Sequence, residues 1–366
     1  MQKALGLITA NYGIATPSVL VENRPVASLP FLGRFRLVDF PLSNMVNAGI
    51  RTVGLIMPPN YRSLIDHVGS GKDWDLDRKE GGLFVMPGSP FGTSRQGGRF
   101  LVRDLVLNRQ LFERNSEDYV VLSTCNIIFN ADVKSLLEKH VSSGADLTLV
   151  TRKMAEANPS VLGLTIEDGK VVGKRFGVDF GDTGFLDLAI INRELLLKLV
   201  DTFSAMEDKD LICALVESGE IRHLNVQCVN FDGYYAAIFD TDHYYRASMD
   251  QLNPKVLAEL SPKERFIKTK AHDNAPAKYE PGSHVTNSLV AAGDRIYGSV
   301  TDSVLSRDVI VETGATVRNS IVMQGVVIRA GALVTNAIID RGNVIAPGTE
   351  LRGTNDDILV LGKVSE

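Results

Sequence analysis

Three cysteines (Cys125, Cys213, Cys228) and six histidines (His67, His140, His223, His243, His272, His284) are the side chains here with the chemistry for nucleophilic catalysis or soft-metal ligation. Neither set is spaced for it. The cysteines lie far apart with no paired motif, which suits neither a zinc site nor a disulfide framework, and the histidines show no metal or triad spacing. Cys125 ends an apolar run, but nothing beside it would depress a thiol pKa, so it reads as a small buried residue. The acidic and basic run Met206 to Asp210 reads as a solvated turn. With 366 residues, 44% hydrophobic and 23% charged, and a formal net charge of -5, the chain has no basic field for nucleic acid. No apolar run approaches the ~18 residues of a membrane span and no signal segment opens the chain, so a cytoplasmic protein is expected.

The length favours two domains. Over residues 1–250, the apolar runs KALGLIT, TVGLIMP, YVVLSTC, LTLVTRK, LDLAIIN and HLNVQCV alternate with amphipathic segments such as 132–143 and 193–202. That alternation predicts an α/β, Rossmann-like domain with a mostly parallel sheet. A helical, polar stretch is expected from about Asp240 to Pro262, followed by a proline-bearing segment with little periodicity, and 251–284 as a whole reads as a linker.

Beyond it, over 285–366, two templates recur. An apolar-x-x-Gly-small-x-apolar pattern starts at Val311, Ile328 and Ile345, 17 residues apart each time. Asn or Asp, a small residue and two aliphatics recur at Asn287, Asp302, Asn319 and Asn336, spaced by 15, 17 and 17. Interleaved repeats of one period predict a parallel β-helix of hexapeptide type, expected to be left-handed, over a β-sandwich, which has no reason to keep a period. A hexapeptide-repeat acyltransferase is disfavoured, because such enzymes place a His in the β-helix and none lies between Val285 and Glu366.

Residues 30–50, PFLGRFRLVDFPLSNMVNAGI, and 70–79, SGKDWDLDRK, resemble segments of the ADP-glucose pyrophosphorylase family in the same order. With the C-terminal repeat, the resemblance spans essentially the whole chain. The family's reaction joins glucose 1-phosphate to ATP with loss of pyrophosphate. In-line attack at phosphorus demands positioning and charge neutralisation by Mg²⁺, Lys and Arg, with one or two carboxylates on the metal.

Set beside that family, this chain has lost the parts that do the chemistry. The glycine-rich loop GGxGxRL becomes Thr9-Ala10-Asn11-Tyr12-Gly13-Ile14-Ala15, which keeps one glycine and no arginine. Cys125 stands where the LSGDHIY strand end carries a metal-binding Asp, and Ala237 stands in the second metal position. Arg175-Phe176-Gly177-Val178 replaces the EKP motif, and Gly98-Arg99-Phe100-Leu101-Val102-Arg103-Asp104 replaces the GTADA-type segment.

The resemblance therefore implies the GlgD-type, non-catalytic regulatory branch, with no catalytic or metal-binding residues and no cofactor of its own. Mg²⁺ would belong to an active partner subunit in a mixed tetramer, with no nucleic-acid or membrane partner. Arg24, Arg34 and Arg36 lie near where the family receives anions, so a sugar-phosphate effector site there is weighed against plain surface arginines. Trp74, Asp75 and Asp77 are either a residual ligand pocket or a packed loop, with packing favoured for the lone tryptophan. The alternative is an active glucose-1-phosphate adenylyltransferase with displaced metal carboxylates, for which Asp187, Asp240 and Asp242 are the candidates.

Overall fold

The computed structural model describes residues 3–10, 18–89 and 99–363. Most of the altered glycine-rich loop (Asn11 to Ala15) and Gly98 lie outside the described residues. The strand Ala4–Thr9 forms the middle of a nine-stranded sheet. Thr52–Met57 pairs with it in parallel on one side, followed by Gly82–Pro87 at the edge, and Tyr119–Thr124 pairs in parallel on the other. Every residue of Ala4–Thr9 and Thr52–Met57 is buried, as continuous apolar runs require when helices cover both faces.

Past Tyr119–Thr124 the sheet changes sense. Thr183–Asn192 runs antiparallel to it and also pairs with Leu147–Lys153 and the hairpin strand Asn158–Glu167. The sheet expected to be mostly parallel is thus mixed, parallel around Ala4–Thr9 and largely antiparallel beyond. Each apolar run read as a strand contains one, the last starting only at Val226 after a 3-10 turn that ends at His223, and the helices Val133–Ser142 and Arg193–Thr202 fall where the leucine spacing put them. Asp132 caps the first by accepting from Ser135 N at 3.0 Å. Because the chain goes from Ala4–Thr9 first to one neighbour and later to the other, a crevice is expected outside the carboxyl ends of Ala4–Thr9 and Tyr119–Thr124. No helix among the described residues is long and apolar enough to cross a membrane.

The C-terminal part stacks three parallel sheets of five short strands each, the architecture of a parallel β-helix. Both repeated templates have a structural reason. Asn287, Asp302, Asn319 and Asn336 all sit at φ between 44° and 48°, a left-handed corner that Asn and Asp tolerate. The serines that follow form a ladder: Ser288 Oγ accepts from Ser303 N, Ser303 Oγ from Ser320 N and Ser320 Oγ from Ala337 N, at 3.1 to 3.2 Å. Each such bond is worth about 1 kcal/mol, and together they hold successive coils in register.

The β-helix begins inside the stretch read as a linker. Lys278–Tyr279 and His284–Thr286 already belong to its first coil, and Pro254–Leu260 is a helix whose Leu260 is buried. Only about 266–277 runs without regular structure. One apolar cluster spans both domains, joining Leu29, Phe31, Phe40 and Tyr244 to Ile321 and Ile338 of the β-helix. At roughly 1.5–3 kcal/mol per buried large side chain, that shared core holds the two halves together.

Candidate functional site

The two positions that the resemblance assigns to the metal are neighbours in space. Cys125 follows the strand Tyr119–Thr124, and the strand Tyr235–Ala237 lies antiparallel to Ile127–Phe129 with Ala237 opposite Ile127. Ile238 N donates to Asn126 O at 2.7 Å and Asn126 Nδ2 donates back to Ile238 O at 3.2 Å, clamping the two segments. Cys125 and Ala237 are buried in the same apolar cluster. Burial, helped by Asp39, pushes the Cys125 thiol far above its ordinary value, so it stays protonated. A protonated thiol and a methyl group offer Mg²⁺ no hard oxygen, so these residues do not fit the ion.

Of the candidate displaced carboxylates, Asp240 and Asp187 are committed to other partners. Asp240 caps the helix Thr241–Asp250 by accepting from His243 N and meets His243 Nδ1, both at 2.7 Å. Its carboxyl is held below the usual range because these bonds to His243 outweigh its burial. Asp242 is exposed in the first turn of that helix. Asp39, whose charge reaches Cys125, is bonded to His67 Nε2 at 2.6 Å and to Arg36 N at 3.0 Å. Among the described residues no group of three His, Cys, Asp or Glu could hold a metal ion.

Asp187 forms a fully buried ion pair with Arg99 Nε. Both side chains are 0% exposed, and the pair lies where the strands end: Thr124 Oγ1 donates to Asp187 Oδ2 at 3.3 Å and Thr9 Oγ1 to Arg99 O at 2.8 Å. Arg99 Nη2 also donates to Ser160 O. Asp210 secures the backbone, accepting from Arg99 N and Phe100 N at 2.8 and 2.7 Å while capping the helix Leu211–Ser218. Asp187 itself sits at φ 53°, in a register shift of its strand. Burial pushes its carboxyl up to about 6, against the pull of Arg99.

The WDLDR segment holds structure together. Trp74 is fully buried with its ring 5.8 Å from that of His67, edge to face. Asp75 is exposed and paired with Lys268, and Asp73 accepts from Ala271 N at 3.1 Å, so the loop ties down the irregular segment between the domains. Asp77 is exposed. The residual ligand pocket offered for Trp74, Asp75 and Asp77 is thereby corrected to packing and tethering, because the indole is enclosed and the two carboxylates point outward.

The early arginines do converge, at the junction of the two domains. Arg24, Arg34 and Arg36 line a pocket with Arg307, Gln324 and Arg341 of the β-helix. Arg307, Gln324 and Arg341 are 17 residues apart and occupy one corner in three successive coils: Gly325 N donates to Arg307 O and Gly342 N to Gln324 O, each at 3.0 Å. Arg24 is largely neutralised by Asp340 at 2.9 Å and donates to Leu20 O at 2.7 Å. Arg34 is exposed, its guanidinium 5.0 Å from the Phe35 ring centre. Burial lowers Arg36 to about 10; Asp39 opposes this, while Arg24, Arg341 and Arg307 push the same way as burial. Sequence reasoning missed Arg307 and Arg341, although their repeat spacing marks them as stacked.

Comparisons with known proteins agree with this architecture. A nucleotidyl transferase family model matches residues 20–175, and a model described as GlmU-like, C-terminal hexapeptide matches residues 274–357. The glycogen biosynthesis protein GlgD of Bacillus subtilis is 35% identical over 352 residues, which cover 94% of this chain and 91% of that protein. GlgD of Geobacillus stearothermophilus is 32% identical over 318 residues, 86% of this chain and 83% of that protein. A glucose-1-phosphate adenylyltransferase of Clostridium novyi is 26% identical over 328 residues, 86% and 84% of the two chains. Fold and matches together define a nucleotidyltransferase-type domain carrying a hexapeptide β-helix. Within that class, the chain belongs to the GlgD family of glycogen biosynthesis proteins.

Proposed function

We propose that this chain is a non-catalytic regulatory subunit in glycogen biosynthesis that modulates an active ADP-glucose pyrophosphorylase subunit, with which it forms a mixed tetramer. The observation that carries this reading is that Cys125 and Ala237, on segments clamped together through Asn126 and Ile238, stand at the two positions where the resemblance puts metal-binding carboxylates. Mg²⁺ is then the business of the active partner. The alternative, an active adenylyltransferase with displaced carboxylates, is disfavoured by Asp187 and Asp240 being tied to Arg99 and His243.

A regulatory subunit acts through different affinity for two states of its partner, or through a ligand that has it. The arginines at the domain junction supply a place for such a ligand. Arg34, Arg36, Arg307 and Arg341 crowd positive charge that a sugar phosphate would relieve, and the pocket is shared by both domains, so occupancy would bear on their relative placement.

The test is pyrophosphate release from ATP and glucose 1-phosphate with Mg²⁺, by this protein alone, by its host's active homologue alone, and by the two co-expressed. Silence alone with an altered rate or effector response in the mixture supports the proposal. Robust turnover by the isolated chain, or a mixture that behaves as the homologue alone, overturns it.

A further inference from the structure

We infer that the Arg99–Asp187 pair fills the ligand crevice of the nucleotidyltransferase-like domain from within, so that this chain excludes nucleotides from the carboxyl ends of its own parallel strands. The inference goes beyond loss of catalysis: a site stripped only of metal ligands could still bind ATP without turning it over.

Three observations support it. The pair sits at the topological switch point, bracketed by Thr9 and Thr124, the last residues of the two parallel strands between which ligands of such sheets bind. It is anchored from several elements at once, through Ser160 O on the adjacent hairpin and through Asp210 holding the Arg99 backbone. And the strand is interrupted to place it, since Asp187 leaves the extended conformation at φ 53° within a register shift between Phe185 and Ala189. A guanidinium and a carboxylate that neutralise each other leave neither for a phosphate or a ribose hydroxyl. Displacing Arg99 would strand a buried carboxylate, so an incoming nucleotide would have to break the pair and also bury its own polar groups.

The inference is tested apart from regulation, on the isolated full chain. ATP could also reach the domain-junction arginines, so binding of ATP and of uncharged adenosine is measured by calorimetry for the wild type and for Arg307→Ala/Arg341→Ala, and the wild type is photolabelled with 8-azido-ATP. Adenosine should not bind, any ATP binding should vanish in Arg307→Ala/Arg341→Ala, and no label should fall on 119–126. Adenosine binding, or label on 119–126, overturns the inference whether or not the chain proves to be a regulatory subunit. The variant Arg99→Ala/Asp187→Ala removes both charges and leaves a hollow; if folded by circular dichroism, it should show measurable adenosine binding where the wild type shows none. A folded double variant with no gain shows that the pair is not what excludes the nucleotide.

Discussion

Arg24 Nη2 meets Asp340 Oδ2 at 2.9 Å across the junction between the two domains, with the carboxylate side chain 3% exposed and the guanidinium side chain 11%. Removing one partner of so buried a pair leaves an uncompensated charge, at a cost of about 3–5 kcal/mol, whereas replacing both with apolar residues is close to neutral. Asp340→Ala should therefore lower the urea midpoint strongly, and Arg24→Met/Asp340→Leu should recover most of the loss. Equal losses in the single and double variants would show that packing, not charge pairing, joins the domains here.

Arg307 and Arg341 line one pocket with Arg36 at the same junction, and their charges act on it. Inorganic phosphate should raise the melting temperature of the wild type in a concentration-dependent way, following the linkage of binding to stability. The effect should be weakened in Arg307→Ala, more so in Arg307→Ala/Arg341→Ala, and reduced by added salt at equal phosphate. Thermal scans over a phosphate series check this; an unchanged shift in the double variant would place the anion elsewhere.

Asp294 is fully buried in the β-helix, and burial first, then nearby Asp308, raises its carboxyl to about 7 despite bonds from Val309 N and Ala291 N. A folded-state value above the unfolded 3.8 means that the folded protein holds this proton longer, so the contribution is fully present below the unfolded value. It is lost as pH rises through the window up to about 7, with no further change above it. Asp294→Asn cannot ionise. Its stability relative to wild type should therefore climb as pH rises across that window and then level off, as read from urea denaturation at a series of pH values.

Restoring the two missing carboxylates should not restore catalysis. Cys125→Asp/Ala237→Asp places two acids in an apolar cluster beside Asp39, which is already engaged with His67. The expected outcome is a lower melting temperature without Mg²⁺ and no pyrophosphate release with it. Turnover by this variant would mean that the Arg99–Asp187 pair is no barrier to ATP.

Much of the architecture was legible along the chain because it is written in local patterns. Ala4–Thr9 and Thr52–Met57 read as covered strands since burial on both faces demands unbroken apolar runs. The Asn/Asp and Gly repeats read as β-helix corners since left-handed turns restrict the residues allowed there. The start of the β-helix was read late, because Lys278–Tyr279 carries exposed side chains and no repeat residue. Residues 251–260 read as helical, and the structure has the helix Pro254–Leu260, but their polarity groups them with the linker because it hides Leu260, which is buried in the shared core.

Sequence alone determined that the positions the resemblance assigns to metal ligation hold a thiol and a methyl group, and that two templates recur with a period of 17 residues over the C-terminal part. Only the tertiary structure decided that the corner of the β-helix carrying Arg307, Gln324 and Arg341 faces Arg34 and Arg36, that Trp74 packs on His67, and that Arg99 closes on Asp187 from 88 residues away. The reason is physical: periodicity and turn chemistry act between neighbours along the chain. Charge pairing across a domain junction or a strand end depends on which surfaces the packed core brings together.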